Sequence, residues 1–167
     1  MDKTQQNQLF EAILKDHRGI FGKVAKTYCF DETDRQDLLQ DMLVQVWQAL
    51  PRYNPDFKLS TWLYRIALNV AISYYRKNAP RTQQQQPLDV ANLDLADTSN
   101  GENHLQMQLL EQFINELNDL DKALMLLYLE DKSQAEIADI LGISTSNVST
   151  KIMRIKEKLK QRFLKHT

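Results

Sequence analysis

Between Arg52 and Lys77 the chain alternates rings with cations. Tyr53, Phe57, Trp62, Tyr64, Tyr74 and Tyr75 are interleaved with Arg52, Lys58, Arg65, Arg76 and Lys77. Aromatic faces are stacking platforms for unpaired bases, and cations between them follow the phosphates. Each stacked base is worth ~1–3 kcal/mol, so a few captured bases would offset part of the cost of separating two strands. Tyr53, Asn54, Asp56, Phe57 and Lys58 lie in a proline-containing loop, which suits them to base contact. Leu63, Ile66, Ala67, Val70, Ala71 and Tyr74 fall at helical spacing and are expected in a core. Trp62 fits either role.

A second chemistry lies near the C-terminus. Ser133-Gln-Ala-Glu136 has the form of a capping box, with the Ser hydroxyl and the Glu carboxylate each accepting from a backbone N–H at a helix start. Ile137, Ala138 and Leu141 follow, then Gly142 where a tight turn needs positive φ, and Ser144 as a cap for the next helix. In that helix Val148, Ile152, Ile155, Leu159 and Phe163 recur at helical spacing as one narrow apolar stripe. The opposite face carries Ser146, Thr150, Met153 and Arg154, with Asn147, Ser149 and Lys151 beside them. Two closely crossed helices, the second showing polar side chains at its N-terminal end, form the device that reads base edges in a major groove; a plain helical hairpin with a solvated, Lys-rich end is the other reading, and Glu157 on the same side fits it.

A third pattern is acidic. In TDRQDLLQDMLVQVWQAL, from Thr33 to Leu50, Asp34, Asp37 and Asp41 recur at helical spacing with Gln40 beside them. Acids at a helix start complement its dipole; a docking face for a basic partner helix is the other reading. Leu39, Leu43, Val46, Trp47 and Leu50 are expected to face the core.

Charge and composition bound the rest. Lys plus Arg total 21 against 22 Asp plus Glu, so net charge does not advertise nucleic acid, but distribution does. From Lys151 onward the bases Lys151, Arg154, Lys156, Lys158, Lys160, Arg162 and Lys165 face a single acid, Glu157. Such asymmetry marks a local phosphate-facing patch. Cys29 is alone and His17, His104 and His166 are scattered, so neither a disulfide within the chain nor a thiolate metal cluster is expected. No phosphate-binding glycine loop and no paired nucleophile and base occur, which argues against an enzyme and against a cofactor. No apolar run approaches the ~20 residues of a membrane helix. The opening MDKTQQNQLFEAI lacks the layout of a secretory signal, so a cytoplasmic protein without membrane insertion is expected.

The elements that must position these groups are helices. Scarce Gly and Pro and the lack of strand-like alternation predict an all-α chain of two small domains, 1–78 and 102–167, joined by a flexible linker over 79–101. Helices are expected near Gln6–Asp16, Gly19–Cys29, Thr33–Leu50 and Ser60–Arg76, then Asn103–Leu117, Asp121–Glu130, Gln134–Leu141 and Thr145–Leu164. The linker segment holds two prolines, four consecutive glutamines and no aromatic residue, too little apolar surface to order itself.

Together these segments resemble the sigma-70 family of RNA polymerase sigma factors in its two-domain, extracytoplasmic-function form. DRQDLLQDMLVQVWQAL is similar to the family's polymerase-docking helix, and FKLSTWLYRIALNVAISYYRKN to the segments that open the −10 promoter element. LMLLYLEDKSQAEIADILGISTSNVSTKIMRIKEKLKQ resembles its −35-binding domain. The resemblance implies that Asp37, Gln40 and Asp41 meet the β′ clamp helices of core RNA polymerase, with the β flap a second contact. It implies single-stranded −10 contacts from Tyr53, Asn54, Phe57, Lys58, Trp62, Arg65, Asn69, Tyr75, Arg76 and Lys77. Duplex −35 contacts fall to Ser146, Asn147, Ser149, Thr150, Lys151 and Arg154. Many relatives carry a basic residue where this chain has Ser149, and another where it has Glu157, which leaves open which −35 bases are read. An anti-sigma factor is a partner of many relatives. The promoter elements lie ~70 Å apart in such an arrangement, at ~34 Å per turn, and 79–101 reaches ~80 Å when extended at ~3.3–3.6 Å per residue. Two other readings compete: a helix-turn-helix regulator that binds duplex without polymerase, and an adaptor that keeps the fold without DNA contact. The regulator leaves the acidic helix and the ring-and-cation stretch unexplained.

Overall fold

The computed structural model describes residues 1–78 and 101–165, and among them every regular element is helical. The linker expected over 79–101 lies outside the described residues except for Gly101, which opens a helix. The chain divides into two compact units.

The first unit is built from α1 (Lys3–Asp16), α2 (Arg18–Tyr28), α3 (Glu32–Ala49) and α4 (Leu59–Lys77). Asp2 starts α1 through a capping box with Gln5, whose N–H donates to the carboxylate at 2.8 Å. Asp31 caps α3, accepting from the Thr33 N–H at 3.1 Å. The Arg35 guanidinium donates to the carbonyls of Cys29 and Phe30, both at 3.3 Å, and so ties the α2–α3 connection to the first turns of α3. Leu50–Arg52 closes α3 with a 3₁₀ turn containing Pro51, which has no N–H with which to continue the helix.

α4 packs across α2 and α3 as the central element. Its buried side is Leu63, Tyr64, Ala67, Leu68 and Ala71, packed with Phe21, Val24, Ala25 and Tyr28 of α2 and Leu38, Met42 and Val46 of α3. This corrects two details of the sequence pattern. The core line of α3 is Leu38, Met42 and Val46, continued by Leu50, while Leu39, Leu43 and Trp47 are half-buried beside it. On α4, Tyr64 and Leu68 take the deep places, and Ile66, Val70 and Tyr74 are half-buried. α4 packs on both α2 and α3, which widens its buried side beyond a single stripe, whereas α3 buries one line.

The remaining helices, most of whose residues belong to the second unit, are α5 (Gly101–Glu116), α6 (Asp119–Leu129), α7 (Gln134–Leu141) and α8 (Thr145–Lys165). Asn118 caps α6, accepting from the Asp121 N–H at 2.8 Å. α6 ends at Asp131, whose φ of 59° lies in the left-handed region, with the Lys132 N–H donating back to the Leu127 carbonyl at 3.1 Å. The Ser133–Glu136 capping box forms as expected: the Glu136 N–H donates to Ser133 Oγ at 3.1 Å, and the Ser133 N–H to Glu136 Oε1 at 3.4 Å. Gly142 takes φ 70°, and the Ile143 N–H donates to the Ala138 carbonyl at 3.2 Å to stop α7. Ser144 then caps α8, its Oγ accepting from the Asn147 N–H at 3.1 Å. Val148, Ile152 and Ile155 are buried, and α8 packs on α5 and α6.

Candidate functional site

On α3 an exposed polar stripe runs Asp37, Gln40, Asp41, with Gln48 one to two turns further. The helix dipole accounts for Glu32 and Asp34, which occupy its first turn. It does not account for Asp37 and Asp41, because its influence fades beyond that turn. Val44 completes the stripe and is half exposed at 50%. The sequence reading passed over Val44; its apolar character at i+4 from Gln40 and i+3 from Asp41, off the core line, is the signal that would have found it. Beside the stripe lies a groove of about 520 Å³, lined by Leu14, Arg18, Phe21, Gly22, Gln36, Leu39, Gln40 and Leu43. A Cβ added at Gly22 would meet nothing within 4 Å, so no packing within the chain requires glycine there. This surface suits a helix that brings apolar anchors to the groove and cations to the acids.

The loop from Tyr53 to Lys58 is shaped by its own side chains. The Tyr53 hydroxyl donates to the Phe57 carbonyl at 2.7 Å, and Asn54 Oδ1 accepts from the Asp56 N–H at 3.0 Å. The Tyr53 and Trp62 rings pack on each other at 4.8 Å between centroids. Phe57 is 54% exposed, so its ring is the one this loop holds out to solvent. Tyr53 and Trp62 are half-buried, while Asn54 and Lys58 are exposed.

Along α4, Trp62, Arg65, Asn69 and Arg76 recur at i, i+3, i+7 and i+14, which places them on one side of the helix with Lys58 at its cap and Lys77 at the margin. Tyr75 is not brought to this line. Its ring meets buried Tyr28 edge-to-face at 5.9 Å, on the packed side of the unit. Tyr74 is also held inward, where the Cys29 thiol donates to its hydroxyl at 3.6 Å. Burial of this pair raises the pKa of both, so both stay protonated at neutral pH.

On α8, Ser146, Asn147, Ser149 and Arg154 are exposed, and Thr150 and Lys151 are half-buried. All lie in the N-terminal half of the helix, Lys151 at the edge of the buried stripe and the others away from it. Two of the later bases are engaged within the unit. Lys156 sits 4.5 Å from the Tyr128 ring centroid, and Arg162 pairs with Glu116 and lies over Phe113. That packing distinguishes them from bases whose whole purpose is phosphate contact. Among the described residues no group of three or more His, Cys, Asp and Glu is placed to hold a metal ion, and no helix is long and apolar enough to cross a membrane.

Comparison with known proteins meets the same two regions in the same order. The model of sigma-70 region 2 matches residues 13–81, and that of sigma-70 region 4 matches residues 107–159. The chain is 29% identical over 160 residues to the RNA polymerase sigma factor CnrH of Cupriavidus metallidurans, covering 90% of this chain and 84% of that protein. It is 28% identical over 140 residues to the ECF RNA polymerase sigma-E factor of Haemophilus influenzae, covering 77% of this chain and 74% of that one. In fold it is similar to CnrH solved in complex with the cytosolic domain of CnrY, with a TM-score of 0.71 at 23% identity, covering 96% and 91% of the two chains. It is similar as well to the sigma factor RpoE solved with the anti-sigma factor NepR from Bartonella quintana, with a TM-score of 0.67 at 20% identity, covering 92% and 96%.

Proposed function

The chain belongs to the sigma-70 family in its extracytoplasmic-function form, and from that premise we propose how its two units divide the work. As a sigma factor it binds core RNA polymerase and directs promoter recognition and opening. One observation carries this reading: sigma-70 regions 2 and 4 are matched in order along the chain, at residues 13–81 and 107–159.

In our reading residues 1–78 grip polymerase and the melted strand, and residues 102–167 bind the upstream duplex. Asp37, Gln40 and Asp41 meet the polymerase clamp, with Val44 and the adjoining groove taking its apolar side chains. Phe57 stacks on an unpaired base, while Lys58, Arg65, Asn69, Arg76 and Lys77 follow the strand. Tyr53 and Trp62 support the Phe57 loop from beneath. Tyr75 acts through packing on Tyr28. The N-terminal half of α8 reads base edges, and Lys151 and Arg154 reach phosphates or guanine. The chain carries no catalytic step, since phosphodiester chemistry belongs to the polymerase, and it works in the cytoplasm. Both solved neighbours are complexes, one with a cytosolic domain and one with an anti-sigma factor. By that likeness a regulator of the same kind belongs to the proposal.

Run-off transcription tests it. Core polymerase supplied with the full chain is expected to start at discrete sites on fragments of the source genome where core alone does not. A folded chain that never associates with core polymerase would overturn the reading. Duplex binding that is indifferent to polymerase would favour the regulator instead.

A further inference from the structure

Met153 is 65% exposed in the middle of α8, although the other mid-helix apolar side chains, Val148, Ile152 and Ile155, are buried. One exposed apolar residue means little in itself; its position gives it meaning here. At ~100° per residue Met153 points about 100° to 160° away from Val148, Ile152 and Ile155, along the row of Ser146, Ser149, Thr150 and Glu157. The row ahead of it, Ser146, Ser149 and Thr150, consists of short hydroxyl side chains, which leave the thioether exposed beyond them.

In a major groove each of these side chains has a partner type. Hydroxyls adapt to any base edge, Arg154 suits the acceptor pair of guanine, and Glu157 suits the amino group of cytosine. An apolar side chain has one apolar group to meet there, the 5-methyl of thymine. Methionine is long, unbranched and polarisable, so it can follow that methyl without a fixed rotamer. Ser146 and Met153 are separated by about 10 Å along the helix axis at ~1.5 Å per residue, far enough for the two to reach different base pairs.

We propose that Met153 is a specificity-determining residue of α8, packing on a thymine methyl in the upstream duplex at a base pair other than the one met by Ser146. The proposal rests on the reading of α8 as the duplex-binding helix. The test uses the full chain bound to core polymerase and a duplex library randomised over the upstream element. Wild-type holoenzyme is expected to select a thymine at one position, and Met153→Ala to lose that preference while keeping the others. Replacing that thymine by deoxyuridine removes only the methyl. It should weaken wild type about fourfold, the scale of one buried carbon. Met153→Ala should be indifferent to the replacement, and Met153→Leu should stay sensitive to it. Because Met153 is exposed, these variants are expected to fold, and circular dichroism verifies this. If wild type ignores every deoxyuridine replacement, or Met153→Ala remains as sensitive as wild type, the proposal is overturned while the role of α8 stands. A holoenzyme that selects no upstream sequence at all overturns both.

Discussion

In the second unit one helix does two jobs on two sides: α8 buries Val148, Ile152 and Ile155 and presents Ser146, Ser149 and Arg154 to solvent. From Ser146 to Ile155 side-chain type and role coincide, since apolar means packed and polar means available, with Met153 as the exception. In the first unit they part. Tyr64 is buried, Tyr75 packs on Tyr28, Tyr53 and Trp62 pack on each other, and Phe57 alone of these rings is more than half exposed. An aromatic ring serves a core and a base stack by the same physics, burial of a flat apolar face. Where the function uses the chemistry of the core, residue type cannot separate them.

The largest expected effect falls where the first unit is most polar. Gln40→Ala combined with Asp41→Lys should weaken core polymerase binding roughly thirtyfold or more, the ~2 kcal/mol scale of an interface hot spot. Both residues are exposed, so thermal unfolding should be unchanged; unaltered affinity in a competition assay would remove this stripe from the interface. Next comes Phe57→Ala, which should cost ~1–3 kcal/mol in capture of single-stranded −10 DNA. Tyr75→Phe should cost little there, and equal losses would erase the distinction between exposed and packed rings. Arg154→Ala should reduce upstream duplex binding about fivefold to tenfold, within the range of a single base contact. Its capture of single strand should be intact, and a parallel fall in both would show that the units do not divide the work.

Two smaller effects concern the stability of the second unit. Lys122 is 1% exposed, and burial lowers its pKa from 10.5 to about 8, with Asp119 opposing the shift. Below about pH 8 both the folded and unfolded chains hold the proton, and the cost of burying the charge is fully present. Between about 8 and 10.5 the unfolded chain keeps a proton that the folded one has shed, so stability should rise with pH. Denaturant unfolding followed by circular dichroism should show that rise in wild type and lose it in Lys122→Met. Fluorescence of Trp47 and Trp62, both in the first unit, should report no such difference. The smallest change is Asp131→Gly. It relieves a left-handed backbone position at the end of α6 and should stabilise by ~0.5–1 kcal/mol, read as a higher melting temperature.

The all-helical class and the order of the helices were legible in the residues because caps and periodicity are local. The Ser133–Glu136 box, the positive φ at Gly142 and the first three places of the α8 stripe, Val148, Ile152 and Ile155, formed where the pattern placed them, while Leu159 and Phe163 further along are half-buried. The acidic stripe was legible as a pattern, and α3 begins at Glu32, within one residue of the expected start, with Asp37 and Asp41 exposed beyond its first turn. The apolar half of that surface was not legible. Leu39 and Leu43 look like core by spacing, and only the placement of α1 and α2 leaves them lining a groove.

Sequence alone determined which segments become helices, where they stop, and which polar faces they carry, since each of these depends on residues within a turn or two of one another. Packing decided which rings remain for a ligand: whether Tyr75 faces solvent or Tyr28, and whether Phe57 stands out of its loop, depends on contacts between segments far apart in the chain. Such contacts compete for the same apolar faces, and the competition is settled only when all the helices are in place.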